Sequence, residues 1–256
     1  GATKVGGKIH ETHVDPSSDN RNFLARGVSF CVASENGQGI DDIVRVWFDD
    51  TLAIDQKDAN GYRSLLNNET AAQNDGVQDF YEGKLEYGMW DGADDNPVDP
   101  TLNTRFPTRW PTSSKPQRIA NGNFFLEWDE DVYSGFPRIT AKIRGNQVWD
   151  PRAGPRNDNS NWMWSENPAL CLLDYLLSDF YGCQFDESQI DVQSFIDAAN
   201  YCEENVSANT KQRFTCNGAL DTGNRLIENI NALLSSCLSE RTIRSYYSPD
   251  NIYGRF

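Results

Sequence analysis

Residues 136–182 read FPRITAKIRGNQVWDPRAGPRNDNSNWMWSENPALCLLDYLLSDFYG, and this one stretch holds both periodicities of the chain. Its first part alternates: Ile139, Ala141 and Ile143 share one side of an extended chain, and Thr140, Lys142 and Arg144 the other. Period two marks a half-buried strand, because successive strand side chains leave on opposite faces. The last part changes to helical spacing. Asn167 followed by Pro168 suits a helix start, since an Asn side chain accepts from an orphan backbone N–H and proline's fixed φ fits the first turn. Leu170, Leu173, Leu177 and Tyr181 then recur on one stripe, with Gly182 expected to end the helix. The change after Trp149-Asp150-Pro151 predicts an α+β chain: a β-rich part over 28–149 and an α-rich part over 150–240.

Upstream, the signals are those of strands. Ile43 to Phe48 alternates, placing Val44, Val46 and Phe48 on one face and Ile43, Arg45 and Trp47 on the other, before an Asp49-Asp50 turn. Leu85, Tyr87 and Met89 form another alternating set. Between these runs lie long loops rich in turn formers, 91–100 and 107–116, of a length that usually serves an interface. Residues 1–27 are polar and glycine-rich and are expected to be an extended arm or a segment pairing with a neighbour. Downstream, a second helix is expected from near Asp191, with Val192, Phe195, Ile196, Ala199 and Cys202 on one face. A short strand around Arg213 to Leu220 and a third helix through Leu226, Ile230, Leu233, Leu234 and Cys237 should follow. Residues 241–256 show no regular pattern.

Composition narrows the function. Hydrophobic residues make up 38% and aromatics 12%, which is a folded chain's inventory rather than a disordered one's. No run approaches the roughly 20 apolar residues that span a bilayer, and the first residues lack a signal-peptide pattern. The net charge of −15 repels phosphate, so sequence-specific nucleic-acid binding is not expected. Six cysteines (Cys31, Cys171, Cys183, Cys202, Cys216 and Cys237) lie in or beside apolar segments and read as mostly buried thiols.

The residues of catalysis are thin. The two histidines, His10 and His13, sit with Asp15 in the polar arm, a weak spacing for a metal and one that reads as solvated side chains. No other histidine exists to serve a Ser-His or Cys-His pair. Carboxylates are plentiful, and a glycosidase-type pair needs only two. The clusters Glu127, Asp129, Glu130, Asp131 and Asp91 to Asp99 are the candidates, the second also for Ca²⁺ through oxygen ligands. With 38 acids in the chain, solvated acidic loops are the expected reading. Trp162-Met163-Trp164 is a candidate sugar platform, although tryptophan more often anchors a core or an interface. No catalytic, cofactor-binding or metal-binding residue is assigned, and no enzyme activity is expected.

A longer pattern points elsewhere. Phe136 to Gly145, Val148-Trp-Asp-Pro-Arg152, Trp164-Ser-Glu-Asn-Pro-Ala-Leu170, Leu172 to Leu176 and Phe180-Tyr-Gly182 come in that order. They are followed by Ile190-Asp191, Ser194 to Asn200 with Cys202, Phe214 to Thr222, and Asn229 to Leu234 with Cys237. Over roughly 100 residues this order and spacing resembles the central tail-tip protein of long-tailed bacteriophages, the host-specificity or J-like family of tail hub proteins. Ile40 to Asp50, Leu85 to Pro100 and Phe124 to Tyr133 resemble it more loosely. Two departures stand out: the family continues after its third helix into strands around a Gly-Gly pair, and its members are far longer. The chain is therefore expected to be a hub-only protein or part of a longer one.

The resemblance implies a structural component of the virion. It would sit at the distal end of the tail as a homotrimeric ring that closes the tube, touches the tape measure protein and other tail-tip proteins, and opens for DNA ejection. On that reading residues 1–27 and 91–116 are expected at subunit contacts, and an acidic lumen suits a channel along which DNA slides. Two other classes stand beside it: a tail-associated cell-wall hydrolase using acids such as Glu127 and Asp129, and a glycan-binding module using the tryptophans.

Overall fold

The computed structural model describes residues 3–16, 22–55, 57–58, 61–62, 65–66, 76–206, 211–237, 246–248 and 251–253. The chain is α+β and divides into two compact units between Asn146 and Gln147, inside a strand rather than after it.

The first unit carries β1 (Thr3–Gly6), β2 (Lys8–Pro16), β3 (Asn22–Val32), β4 (Ile40–Phe48), β5 (Thr51–Asp55), β6 (Lys57–Asp58), β7 (Gly61–Tyr62), β8 (Leu85–Trp90), a short helix α1 (Pro100–Arg105), β9 (Ile119–Glu127) and most of β10 (Ile139–Trp149). Two antiparallel sheets form, ordered β1-β10-β4-β5 and β2-β3-β9-β8, with β6 and β7 paired separately. Both sheets supply one core: Val28 from β3, Val46 and Phe48 from β4, Met89 from β8, Phe124 from β9, and Ile139, Ala141 and Ile143 from β10. Residues 3–16 and 22–27, expected as an extended arm or a segment pairing with a neighbour, are extended strands that pair within the unit: β1 lies along β10 and β2 along β3.

The alternation expected for β4 fails at one residue. Lys142 pairs with Arg45 and Ile143 with Ile43, so Val44 is an extra residue, a β-bulge. A bulge shifts the side-chain phase by one, and Ile43 joins Val46 and Phe48 in the core while Val44 leaves that set. Periodicity alone cannot see this, because an inserted residue is indistinguishable from its neighbours until a partner strand counts it.

The 91–116 stretch, expected as interface loop, has its own internal support. Asp99 is 2% exposed and accepts from Leu102 N at 2.8 Å, which caps α1, and from Trp90 Nε1 and Asn123 Nδ2 at 2.9 Å each. Pro100 occupies the first turn. Leu102 then packs with Ala25 and Phe125, while the Arg105 guanidinium lies 4.5 Å from the Phe125 ring.

The second unit continues with β11 (Trp162–Trp164), α2 (Pro168–Leu177), α3 (Val192–Glu203), α4 (Leu226–Ser235), and the short paired strands β12 (Tyr246–Ser248) and β13 (Asn251–Tyr253). Gln147–Trp149 at the end of β10 pair with β11. Asn167 and Asp191 cap α2 and α3 through their side chains. Trp149, Trp162, Leu173, Phe195, Ile230 and Leu233 share the core. No strand forms over 213–220; the chain there is held singly, Phe214 N to Cys202 O and Cys216 N to Glu166 O. Part of 241–256, expected to be irregular, is the β12–β13 ladder; the rest lies outside the described residues.

Helix α2 stops at Ser178, not at Gly182. The chain folds back so that Cys183 N donates to Tyr175 O at 2.8 Å, and Gly182 passes hard against that turn. A Cβ added at Gly182 would lie 2.0 Å from the Tyr175 carbonyl oxygen, and backbone cannot rotate aside as a side chain can. Gly182→Ala is expected to lower the unfolding free energy by about 2 kcal/mol, as overpacking does, seen as a lower urea midpoint. An unchanged midpoint would contradict the close approach.

Candidate functional site

The residues singled out as chemical candidates are engaged, where they are described, in structural roles. Glu127 and Asp129 share one ammonium: Lys84 Nζ lies 3.3 Å from Glu127 Oε1 and 3.4 Å from Asp129 Oδ2. Those two hydrogen bonds raise the pKa of Lys84. Asp129 also accepts from Asp131 N at 3.0 Å, and buried Tyr133 donates its hydroxyl to Lys84 O at 3.0 Å. Burial pushes the Tyr133 phenol well above its ordinary range. A glycosidase-type pair needs one carboxyl that donates a proton; here both act as acceptors to one cation. Glu130 and Asp131 are exposed.

In the acidic run from Asp91 to Asp99, Asp94 and Asp95 are exposed, and Asp91, Asp94 and Asp99 hold partners within the chain. Asp91 accepts from Ala93 N at 2.9 Å and Asn96 Nδ2 at 2.8 Å, Asp94 pairs with Arg118 at 2.5 Å, and Asp99 holds the α1 cap. Among the described residues no group of three or more His, Cys, Asp or Glu side chains is placed to hold a metal ion. His10, His13 and Asp15 lie on β2, His10 at a register shift between Ile9 and Glu11; the side chains of all three fall outside the described set.

Trp162-Met163-Trp164 is β11. Trp162 is buried with its Nε1 on Arg156 O at 2.8 Å, and only Met163 is well exposed, so the run offers no open stacking platform. A concavity beside α1, lined by Ala25, Gly27, Leu102, Phe106 and Trp110 among others, contains no carboxylate, thiol or hydroxyl.

The densest polar arrangement is in the second unit and was not foreseen. Arg152 sits as a two-sided clamp. Its Nε and Nη2 reach the Asp150 carboxylate at 2.9 and 2.7 Å, and its Nη1 and Nη2 reach Glu203 at 2.7 and 2.9 Å. Nη1 also donates to Asn200 Oδ1 at 3.0 Å. Asn167, the α2 cap, turns its amide to Glu203 Oε1 and Ala199 O, both at 2.9 Å. One guanidinium therefore joins the turn after β10 to the end of α3, and one asparagine joins α3 to the start of α2. The Asp-Pro-Arg and Asn-Pro pairs were visible in the sequence, but Glu203 lies about 50 residues further on, and nothing local marks it as their partner.

No family model matches the chain, and no curated protein matches it. A solved structure described as the virion of a native gene transfer agent (GTA) particle overlaps it with a TM-score of 0.36 at 16% identity, over 60% of this chain. The overlap covers 28% of the matched chain, so this chain spans little more than a quarter of that length.

The clamp has a pH signature. Burial alone would raise the Asp150 carboxyl, but hydrogen bonds from the Arg152 side chain and backbone hold it below its ordinary value. Hydrogen bonding from Arg152 lowers Glu203 against opposing burial, with Asn167 adding to the effect. Folded values below unfolded ones mean that the unfolded chain takes up these protons first as pH falls. The contribution is complete above the ordinary carboxyl range of about 4 and is lost as pH drops through the folded values. Arg152→Ala is expected to cost about 2 kcal/mol at neutral pH, between an exposed pair and a buried one. Urea titrations from pH 7 downward should show a shallower acid loss in the variant; identical slopes would refute the clamp's part in it.

Proposed function

We propose that this chain is a structural component of a phage tail tip, a hub segment that closes the distal end of the tail tube and is not an enzyme. One observation supports this most directly. The residues carrying the sequence resemblance (Trp149, Asp150, Arg152, Asn167, Leu173 and Phe195) are engaged in core packing and in the Arg152 clamp. Packing and a clamp of this kind suit a ring component, whose role needs shape and not a nucleophile with a base. The proposed partners are two further copies of the chain, the tape measure protein and neighbouring tail-tip proteins, in the virion. A net charge of −15 suits a lumen through which DNA passes without sticking. The contribution to host attachment and DNA ejection is opening of that ring.

The purified chain, alone and mixed with its tail partners, is expected to give the mass of three copies by light scattering and threefold rings in negative stain. A stable monomer in every mixture that also clears peptidoglycan would overturn the reading. In that case Glu127→Gln and Asp129→Asn should abolish clearing, and the hydrolase reading would replace the hub.

A further inference from the structure

The sequence contains four Asn-Gly steps, and the structure places three of them; Asn60 of the fourth lies outside the described residues. At such a step the next backbone nitrogen can reach the asparagine side-chain carbon, because glycine has no Cβ to obstruct the approach. The surrounding fold decides whether it does. At Asn36-Gly37 the Gly37 N–H donates to Ser34 O at 3.2 Å, and Asn36 Oδ1 accepts from Gln38 N at 3.1 Å. At Asn121-Gly122, on the inner strand β9, Gly122 pairs with Val28 on one side and Met89 on the other. Asn121 is 7% exposed and donates to Ile119 O at 3.0 Å.

Asn217-Gly218 differs on each count. Both residues are exposed. Among the described residues, no backbone N–H of 217–220 has a hydrogen-bond acceptor. The stretch is nevertheless fixed at its two ends: Cys216 N donates to Glu166 O at 2.8 Å, and Asp221 O accepts from Asn229 Nδ2 at 2.9 Å. A Cβ added at Gly218 would meet no atom within 4 Å, whereas one at Gly37 would lie 2.6 Å from Asp94 Oδ2 and one at Gly122 2.8 Å from Met89 Sδ.

We propose that Asn217 is a spontaneous modification site, converting through a cyclic succinimide to aspartate and isoaspartate with water as the one co-reactant. The Gly218 nitrogen gives up its proton and attacks Asn217 Cγ, so that a C–N bond forms and the ring closes. The Cγ–Nδ2 bond breaks, and the side-chain nitrogen leaves as ammonia. Water then opens the ring. Cleavage between Gly218 N and Cγ gives aspartate; cleavage between Gly218 N and the Asn217 carbonyl carbon gives isoaspartate, in which the main chain runs through Cβ and Cγ. One amide and one water become a carboxylate and ammonium, and nothing is oxidised or reduced. Each conversion adds a negative charge to a chain that already carries −15. Because 217–220 donates no backbone bond, the extra methylene of isoaspartate is accommodated without unpairing an N–H. This chemistry does not depend on the hub reading.

The test incubates the whole folded chain in mildly alkaline buffer, digests it and follows the Asn-Gly peptides by mass spectrometry, where replacement of NH2 by OH marks conversion. Asn217 is expected to convert at least about tenfold faster than Asn36 and Asn121, whose glycine N–H groups must first be freed by local opening. In urea the three rates should converge. Conversion should slow in mildly acidic buffer, since the attacking nitrogen must lose a proton, and the product should contain isoaspartate as well as aspartate. Gly218→Ala, whose methyl enters open space, is expected to keep the melting temperature and slow conversion several-fold. Comparable rates at the three sites in the folded chain, an unconverted Asn217, a tenfold gap that persists in urea, or aspartate without isoaspartate would each overturn the proposal. Mapping on the unaltered chain decides the matter even where the alanine variant fails to fold.

Discussion

The Arg152 guanidinium, held between Asp150 and Glu203, is the interaction on which the second unit depends. Taking a charge out of water is costly, and an arginine offers a planar fork that two carboxylates can meet at once. Asp150 is buried, and Asn167 shares Glu203 Oε1 with the guanidinium while also donating to the Ala199 carbonyl. Three elements consequently meet at fixed positions: the turn after β10, the start of α2 and the end of α3. The apolar faces of Leu173, Phe195 and Leu233 could pack in several registers; a paired charge admits far fewer, because a shift would leave an ion buried alone.

The first unit answers the same problem with neutral and anionic acceptors. Asp99 gathers an indole N–H, an amide and a helix-capping N–H, and so supports α1 over the outer face of Ala25 and Phe125. In the acidic run around it, Asp94 and Asp95 are exposed to solvent as the composition suggests, while Asp91 and Asp99 are turn and cap acceptors. Acidity at such positions follows from backbone N–H groups that need partners. The Lys84 bridge between Glu127 and Asp129 follows the same rule at a strand end.

These roles bear on function through what the side chains are already doing. A carboxylate committed to a cap or to a shared cation is a poor proton donor, and a tryptophan whose indole N–H is bonded inside a turn is not a platform for a sugar. Within the motifs that run from Phe136 to Cys237, Trp149, Leu173 and Phe195 pack in the second unit's core and Asp150, Arg152 and Asn167 build the clamp.

The sequence by itself determined the α+β class, the strand at Ile139–Ile143, the cap at Asn167, the helix start near Asp191 and the three longer helices. Each of these is written within a few residues, as an alternation, a capping side chain or a helical stripe. Only the tertiary structure decided the bulge at Val44, the pairing of the polar N-terminal residues into both sheets, the stop at Ser178 and the short helix α1. The same holds for Glu203 as the partner of Arg152. For the bulge and for Glu203 the role is set by an atom far along the chain, a partner strand that counts one residue fewer or a carboxylate 51 positions away; for Gly182 it is set by the nearby Tyr175 carbonyl, which leaves no room for a Cβ. Local propensity has no term for such partners, and a chain's own order does not reveal them until it is folded.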